Sequence, residues 1–436
     1  MFFKKKQKQI AEKIESGKMA NSPFSLMNQR FRRNRMAVWS LRFLYLLFFV
    51  AIFADFIANE KPVYCKLDGK VYFPVMRQYL VDLGLDHWEA RFFQNDWDEH
   101  AYEAVIFPPI PYSSKTIDGK NRGYTGPFDE QKISSLRYRH WLGTDNLGHD
   151  VAAGMVSGTR TAMLVGIISM SIASFIGILL GALAGFFGDD RFRMNPFSIP
   201  IYIGALLLGW FYAFMARGYV LSEAAREGGL AKELFISFLI FGFALLLAKL
   251  ATLFIGKIPA LNKKVKIPLD LIIMRTVEVL NSIPGFLLLL SIVGVLQQGS
   301  IFVVMAIIGL IRWTGIARFL RAELLRIRNL EYIESARAMG FSNLRILFRH
   351  ALPNALTPVL IAISFGVASS ILLESALSFL GFGIGEETVT WGNLLSAARK
   401  YPGAWWLALF PGGAIFVTVT VFNLIGEGLT NALRND

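Results

Sequence analysis

Tyr332-Ile333-Glu334-Ser335-Ala336-Arg337-Ala338-Met339-Gly340, followed nine residues later by His350-Ala351-Leu352-Pro353, is the stretch on which the reading of this chain turns. Gly340 separates two short helical patterns at a point where a left-handed or open backbone costs least. Pro353 suits the first turn of the helix that follows, where an amide has no partner to lose. Ser335, Ala336 and Ala338 are small enough to let another backbone approach, while Arg337, Arg345 and Arg349 offer charge. A surface helix pair with a small-residue face and basic edges is shaped to dock into a groove.

Long apolar runs flank this stretch on both sides. A bilayer core of roughly 30 Å takes about 20 apolar residues of helix. Runs of that kind cover 37–58, 162–187, 196–216, 234–256, 269–296, 301–320, 354–380 and 405–424. The third and fourth leave a re-entrant or interfacial path open. The remaining composition agrees: 54% of the 436 residues are hydrophobic, 37 are Phe, and only 18% are charged. So few charges cannot cover a water-facing surface of this size. The lone Cys65 permits neither an internal disulfide nor a cysteine metal cage. A polytopic, all-α membrane protein is what remains.

The net charge of +13 would suit nucleic acid, but its placement does not. Residues 1–36 hold ten Lys/Arg against Glu12 and Glu15. A second cluster, Arg312 to Arg349, has eight Arg against Glu323, Glu331 and Glu334. Both sit beside apolar runs, where Lys and Arg mark the cytoplasmic side. With the N-terminus inside, the inner connections carry Arg191 and Arg193, then Lys257, Lys263, Lys264 and Lys266, then the Arg cluster. The outer connections, 217–233, Gln297–Ser300 and 381–403 (with Glu386 and Glu387), are balanced or neutral. Both termini are therefore expected inside, and no nucleic-acid partner is expected. Residues 59–139, rich in Trp, Tyr and Phe with eleven basic and twelve acidic side chains, read as a small extracytoplasmic cap.

No catalytic signature appears. There is no phosphate-binding G-x-x-x-x-G-K-[ST], and His87, His100, His140, His149 and His350 form no ligand pair. The chain is expected to be non-catalytic, with no cofactor and no metal of its own. Its energy must come from a partner or from an ion gradient. A gradient-driven transporter or channel would bury paired ionisable groups in its spans. The candidates are few: Lys249 near an inner end, Glu278 one turn from Arg275, and Glu374 towards an outer end. A membrane scaffold without transport is the third reading.

At this point the sequence resembles a known family. E-A-A-x-x-x-G-x₉-I-x-L-P is the signature of inner-membrane permeases of ABC importers, and it is matched at Glu334, Ala336, Gly340, Leu352 and Pro353. Ser335 stands in the second position and His350 in the apolar one. Further segments resemble the second, C-type permease of the peptide/nickel importer group. They are Arg30-Phe31-Arg32-Arg33-Asn34-Arg35, then His140-Trp141-Leu142-Gly143-Thr144-Asp145 with Gly148 and Asp150. Ser282-Ile283-Pro284, Leu377 to Gly383 with Trp391-Gly392, and Phe422-Asn423-Leu424 follow in order. Segments 57–62 and 68–74 resemble the permeases of oligopeptide and microcin C uptake.

The resemblance implies a type I ABC importer transmembrane domain with six core spans, here joined by two more. It implies a cytoplasmic ATPase that binds ATP and Mg²⁺ and contacts the chain at Glu334, Ser335, Ala336, Arg337, Gly340, His350, Leu352 and Pro353. It also implies a homologous second permease, an extracytoplasmic substrate-binding protein, lipid around the spans and a bacterial inner membrane. Substrate contacts are not identified. The organisation expected is a basic segment 1–36, a first span 37–58 and the cap 59–139. A motif and second span 140–187, an insertion 188–268 and a permease core 269–436 follow, with the coupling loop at 320–353. The insertion contains a decoy, Glu223-Ala224-Ala225-Arg226-Glu227-Gly228-Gly229, which fits E-A-A-x-x-x-G but lacks the Leu-Pro that should follow.

Overall fold

The computed structural model describes residues 23–433 apart from 90–91, 93–96, 98–99, 190, 192, 228, 257–264, 297–299 and 383–387. Lys257, Lys263, Lys264, Glu386, Glu387 and the basic residues 4–18 lie outside that set.

Helices form where the apolar runs predict them. In chain order they are α1 (Pro23–Arg33), α2 (Arg35–Ile52), α3 (Pro74–Asp82), α4 (Val151–Ala182) and α5 (Ser198–Trp210). Next come α6 (Gly218–Glu227), α7 (Leu230–Gly256), α8 (Leu269–Ser282), α9 (Gly285–Leu296) and α10 (Ile301–Ile327). The last five are α11 (Glu331–Ala338), α12 (Asn343–Ile346), α13 (Leu352–Phe379), α14 (Trp391–Lys400) and α15 (Trp406–Leu433). Among the described residues, seven helices are long and apolar enough to cross a bilayer, or eight if the pair α8 and α9 counts as one.

That pair departs from expectation. Residues 269–296 read as one span, but they form two helices, α8 and α9, bent by 81°. Pro284 supplies no amide hydrogen and biases Ile283 away from helix, so the break falls there.

The chain divides into two compact units. The first comprises 1–181 and 277–436. Its core is an apolar cluster of Val165, Leu289, Val293, Val304, Met305, Ile308 and Leu377. The crossing of α4 with α10 is close: a Cβ on Gly177 would stand 2.8 Å from the Trp313 carbonyl oxygen, and one on Gly181 2.8 Å from that of Ala317. Ser169 Oγ donates to the Met305 carbonyl at 2.9 Å across the same seam. Small residues four apart, with a hydroxyl bond beside them, hold helices together where lipid removes any hydrophobic drive between them.

Before α4, the described part of residues 58–150 packs on the ends of α4 and α15. A three-stranded antiparallel sheet orders β2 (Lys70–Tyr72), β1 (Tyr64–Leu67) and β3 (Ala104–Ile106), with Cys65 paired to both Tyr72 and Val105. Cys65, Leu67 and Phe92 are buried there beneath Trp88, Trp97 and Tyr102.

The second unit is 182–276 and contains the stretch read as an insertion. A short antiparallel ladder, β4 (Arg193–Met194) on β5 (Val265–Lys266), closes it at its base. Between them α5 packs on α7, with Arg217 bonding Ser237 Oγ at 3.3 Å and Glu233 through a salt bridge. Only 6% of the α7 apolar window is buried inside the chain, against 56% for α10. A helix apolar on every side and so little covered by protein presents that surface to lipid.

Substituting Gly181→Val tests the α4–α10 seam. The added carbons would meet backbone oxygen rather than a yielding side chain, and overpacking costs about 1–3 kcal/mol. A lowered melting temperature in detergent is expected, with Gly204→Val, whose Cβ meets open space, as the neutral control.

Candidate functional site

The decisive stretch lies at the end of α10. Leu324 and Ile327 are buried there, and the chain turns at Leu330 into α11. Spacing three apart puts Ile333 and Ala336 on one face, and both are buried. α11 ends in a two-bond lock: the Phe341 amide donates to the Ala336 carbonyl at 3.2 Å, and the Gly340 amide to that of Arg337 at 2.9 Å. This closure needs a left-handed residue, and Gly340 sits at φ +79°. Ser342 Oγ accepts from the Arg345 amide and starts α12.

Two expectations need correction. Ala336 was read as part of the small-residue docking face, but it is turned into the chain; Ser335 and Ala338 carry that face. The second helix was read as separate, but α12 continues through the wide turn 347–351 into α13. Ile346, Leu347 and Ala351 are buried on this continuous path, so the turn is joined rigidly to α13.

Glu334 and Gly340 are exposed, as is Pro353, and Arg337 is half-buried. His350 stacks on Phe341, ring centres 6.2 Å apart and planes 6° apart, and Arg345 Cζ lies 5.4 Å from the centre of the Phe341 ring. Leu352 is half-buried. The predicted residues thus gather on one short segment, though not all face solvent. Sequence reasoning missed the apolar part of this face: Met339 (66% exposed), Leu344 (59%) and Phe348 (64%). The i, i+4 spacing of Leu344 and Phe348 was the signal that could have found them.

The His140–Asp150 motif forms a second constellation, in front of α4. His140 is fully buried, with Nδ1 2.8 Å from Asp150 Oδ1 and Nε2 3.1 Å from Asp118 Oδ2. Asp150 also caps α4, its Oδ2 accepting from the Ala153 amide at 2.7 Å. Asp145 Oδ1 accepts from the amides of Leu147, Gly148 and His149. Trp406 Nε1 donates to the Thr144 carbonyl, tying the loop to α15. Every polar group here answers another within the chain. The motif is structural: it anchors 112–150 to the start of α4.

Burial opposes charge on His140, but the two carboxylates outweigh it and hold its pKa above the ordinary 6.5. Burial likewise pushes Asp118 up, and hydrogen bonds from Asn121, Lys120 and His140 bring it below its ordinary 3.8. The stability from protonated His140 is complete below its unfolded pKa and drains away as pH rises through the raised native value. That from Asp118 has the opposite sign and is lost in acid. Going from about pH 6.5 to about pH 9 should therefore lower the melting temperature, and His140→Gln should flatten the slope. His149, raised by Asp145, contributes in the same direction, so His149→Gln is the companion measurement.

Glu374, the buried carboxyl of α13, is 1% exposed and accepts from Ser378 Oγ at 2.7 Å, with Ser375 Oγ at 3.4 Å. Lys249 and Glu278 are exposed on their helices.

This fold, long apolar helices with a rigid helical turn at the end of one of them, has counterparts among known proteins. Residues 252–435 match the model of binding-protein-dependent transport system inner membrane components, and 22–70 that of the N-terminal transmembrane domain of oligopeptide transport permease C. A peptidoglycan transport system permease protein of Agrobacterium fabrum is 28% identical over 426 residues, covering 93% of this chain and 91% of that one. An inner membrane ABC transporter permease protein of Escherichia coli is 27% identical over 408 residues, covering 92% and 94%. A glutathione transport system permease protein of Pectobacterium atrosepticum is 30% identical over 325 residues, covering 74% and 79%. The chain belongs to the family of binding-protein-dependent inner-membrane transport components. It is a multi-span permease subunit of an ABC importer, a class that works with an ATPase and a substrate-binding protein.

Proposed function

We propose that this chain is the C-type permease of a peptide importer, and that it forms the translocation path with a second, homologous permease. The observation that carries this reading is the exposed face Glu334, Ser335, Ala338, Met339, Leu344 and Phe348 on a turn locked to two spans. Small residues let a partner's backbone approach, exposed apolar side chains supply area, and Glu334 supplies a charge contact.

In this reading the partner is the cytoplasmic ATPase, which binds ATP and Mg²⁺ and performs the hydrolysis. The permease itself carries no catalytic group and no cofactor. Both termini are cytoplasmic, and 59–139 lie outside, where a binding protein delivers substrate. ATP-driven closure of the ATPase moves α11 and α12 as one body, because Ile333, Ala336, Ile346, Leu347 and Ala351 fix them to their neighbours. That motion passes to α10 and α13 and reopens the path to the other side. Relatives named for peptidoglycan, glutathione and dipeptides support a peptide-type substrate. The decoy falls at the end of α6, which stops at Glu227; Gly229 then takes φ +95°, and the long apolar α7 begins at Leu230, with nothing like 343–353 between them.

The test is a pull-down of tagged chain from its native membrane. Wild type is expected to recover an ATPase and a second permease; Glu334→Arg/Gly340→Val is expected to lose the ATPase and keep the permease. A β-branched residue at φ +79° costs about 1–2 kcal/mol in backbone strain and has no neighbour to clash with, so the variant still folds. Gly340→Asn, which tolerates that conformation, should retain the ATPase. Recovery of no ATPase by folded wild type would overturn the reading.

A further inference from the structure

Two arginines on the spanning helices are held in different ways. Arg160 of α4 binds Asp55 Oδ2 at 2.8 Å and the Ala51 carbonyl at 2.9 Å. Arg312 has no such carboxylate. It was counted with the basic inside loop, but it belongs to α10, eleven residues from Ile301, or roughly 17 Å along the axis. That is about the middle of a bilayer core of roughly 30 Å. One Nη2–H donates to Ser369 Oγ on α13, and Nε is buried without a partner. Among the described residues no acid lies within salt-bridge reach of it. A half-buried guanidinium with five N–H donors and one neutral acceptor is set to receive an anion.

The surroundings say what kind of space it meets. The same turn of α10 abuts the break between α8 and α9: Thr314 Oγ1 donates to Asn281 Oδ1 at 3.1 Å, and a Cβ on Gly285 would stand 3.6 Å from Ile311. Asn281, Ser282, Ile283 and Pro284 are all exposed at that break. Irregular backbone with exposed polar side chains is not tolerated against lipid; at this depth it lines a water-filled cavity or another protein. Broken spans place ligand groups near the midplane of transport proteins for this reason.

We infer that Arg312, held by Ser369 beside the broken span, is the cationic contact in the translocation path for the carboxylate of a passing peptide. The inference rests on the peptide-permease reading. A planar guanidinium takes a carboxylate through two parallel bonds, a geometry that a lysine does not reproduce. A fixed carboxylate from the second permease is the competing occupant. It would neutralise Arg312 permanently, whereas the exposed, irregular backbone at 281–284 on the neighbouring break calls for water and favours a mobile anion in a wet path.

The experiment uses the full permease–ATPase complex in proteoliposomes with its binding protein. The probes are one tripeptide as free acid and as C-terminal amide, chosen so that the isolated binding protein holds both. ATP-dependent uptake is read as the ratio of acid to amide. For Arg312→Gln that ratio should fall about tenfold or more, the weight of one charge-assisted pair, with Arg312→Lys in between. Equal loss for both peptides, as a structural role or a fixed pair with the second permease would give, overturns the inference; so does no change. Wild type that moves neither peptide, with its ATPase bound and active, overturns the peptide reading itself and the inference with it.

Discussion

The close crossing of α4 over α10 is the contact on which the rest is arranged. Backbone meets backbone at Gly177 and Gly181, and Ser169 reaches the Met305 carbonyl in the same seam. Because lipid tails offer helices no hydrophobic reason to associate, this packing has to supply the attraction itself. It makes α10 the most protein-covered of the spanning helices. Along that one rigid rod lie Thr314 against the broken span, Arg312 at mid-depth, and Ile327 leading to the α11–α12 turn. A movement imposed at one end therefore has a stiff route to the middle.

The charges sort into two kinds. His140 between Asp118 and Asp150, and Arg160 on Asp55, are answered inside the chain and hold elements together. Glu334 on its exposed turn and Arg312 at mid-span are not so answered. A buried or half-buried charge without a partner costs folding free energy, so a fold that keeps one does so where a ligand or another subunit completes it. The family's H-x-L-G-T-D stretch belongs to the first kind. Asp150 caps α4, and Asp118 and Asp150 hold the His140 ring between them.

Much of this architecture was legible in the sequence, because spans are long apolar runs and the turn after α11 needs a glycine. The bend of α8 on α9 was not, since 269–296 is long enough for a single span and Pro284 alone marks the break. Arg312 was misplaced for a related reason: a count of positive charges along a loop carries no depth. Ala336 could have been placed correctly, as it lies three residues from Ile333 and shares its buried face. The His140 network could not, because Asp118 stands 22 residues away and only the fold brings it near. At the turn, the exposed Leu344 and Phe348 were legible by spacing and were overlooked in favour of charge.

The central claim is that the α11–α12 face is where the ATPase bears on the membrane subunit. Site-specific photo-crosslinking from position 344, with position 223 in the decoy helix as its counterpart, measures this in intact membranes. Crosslinks to the ATPase from 344 that change between nucleotide-free and ATP-trapped states, with none from 223, are the predicted result. Crosslinks from 223 and none from 344 would contradict the account.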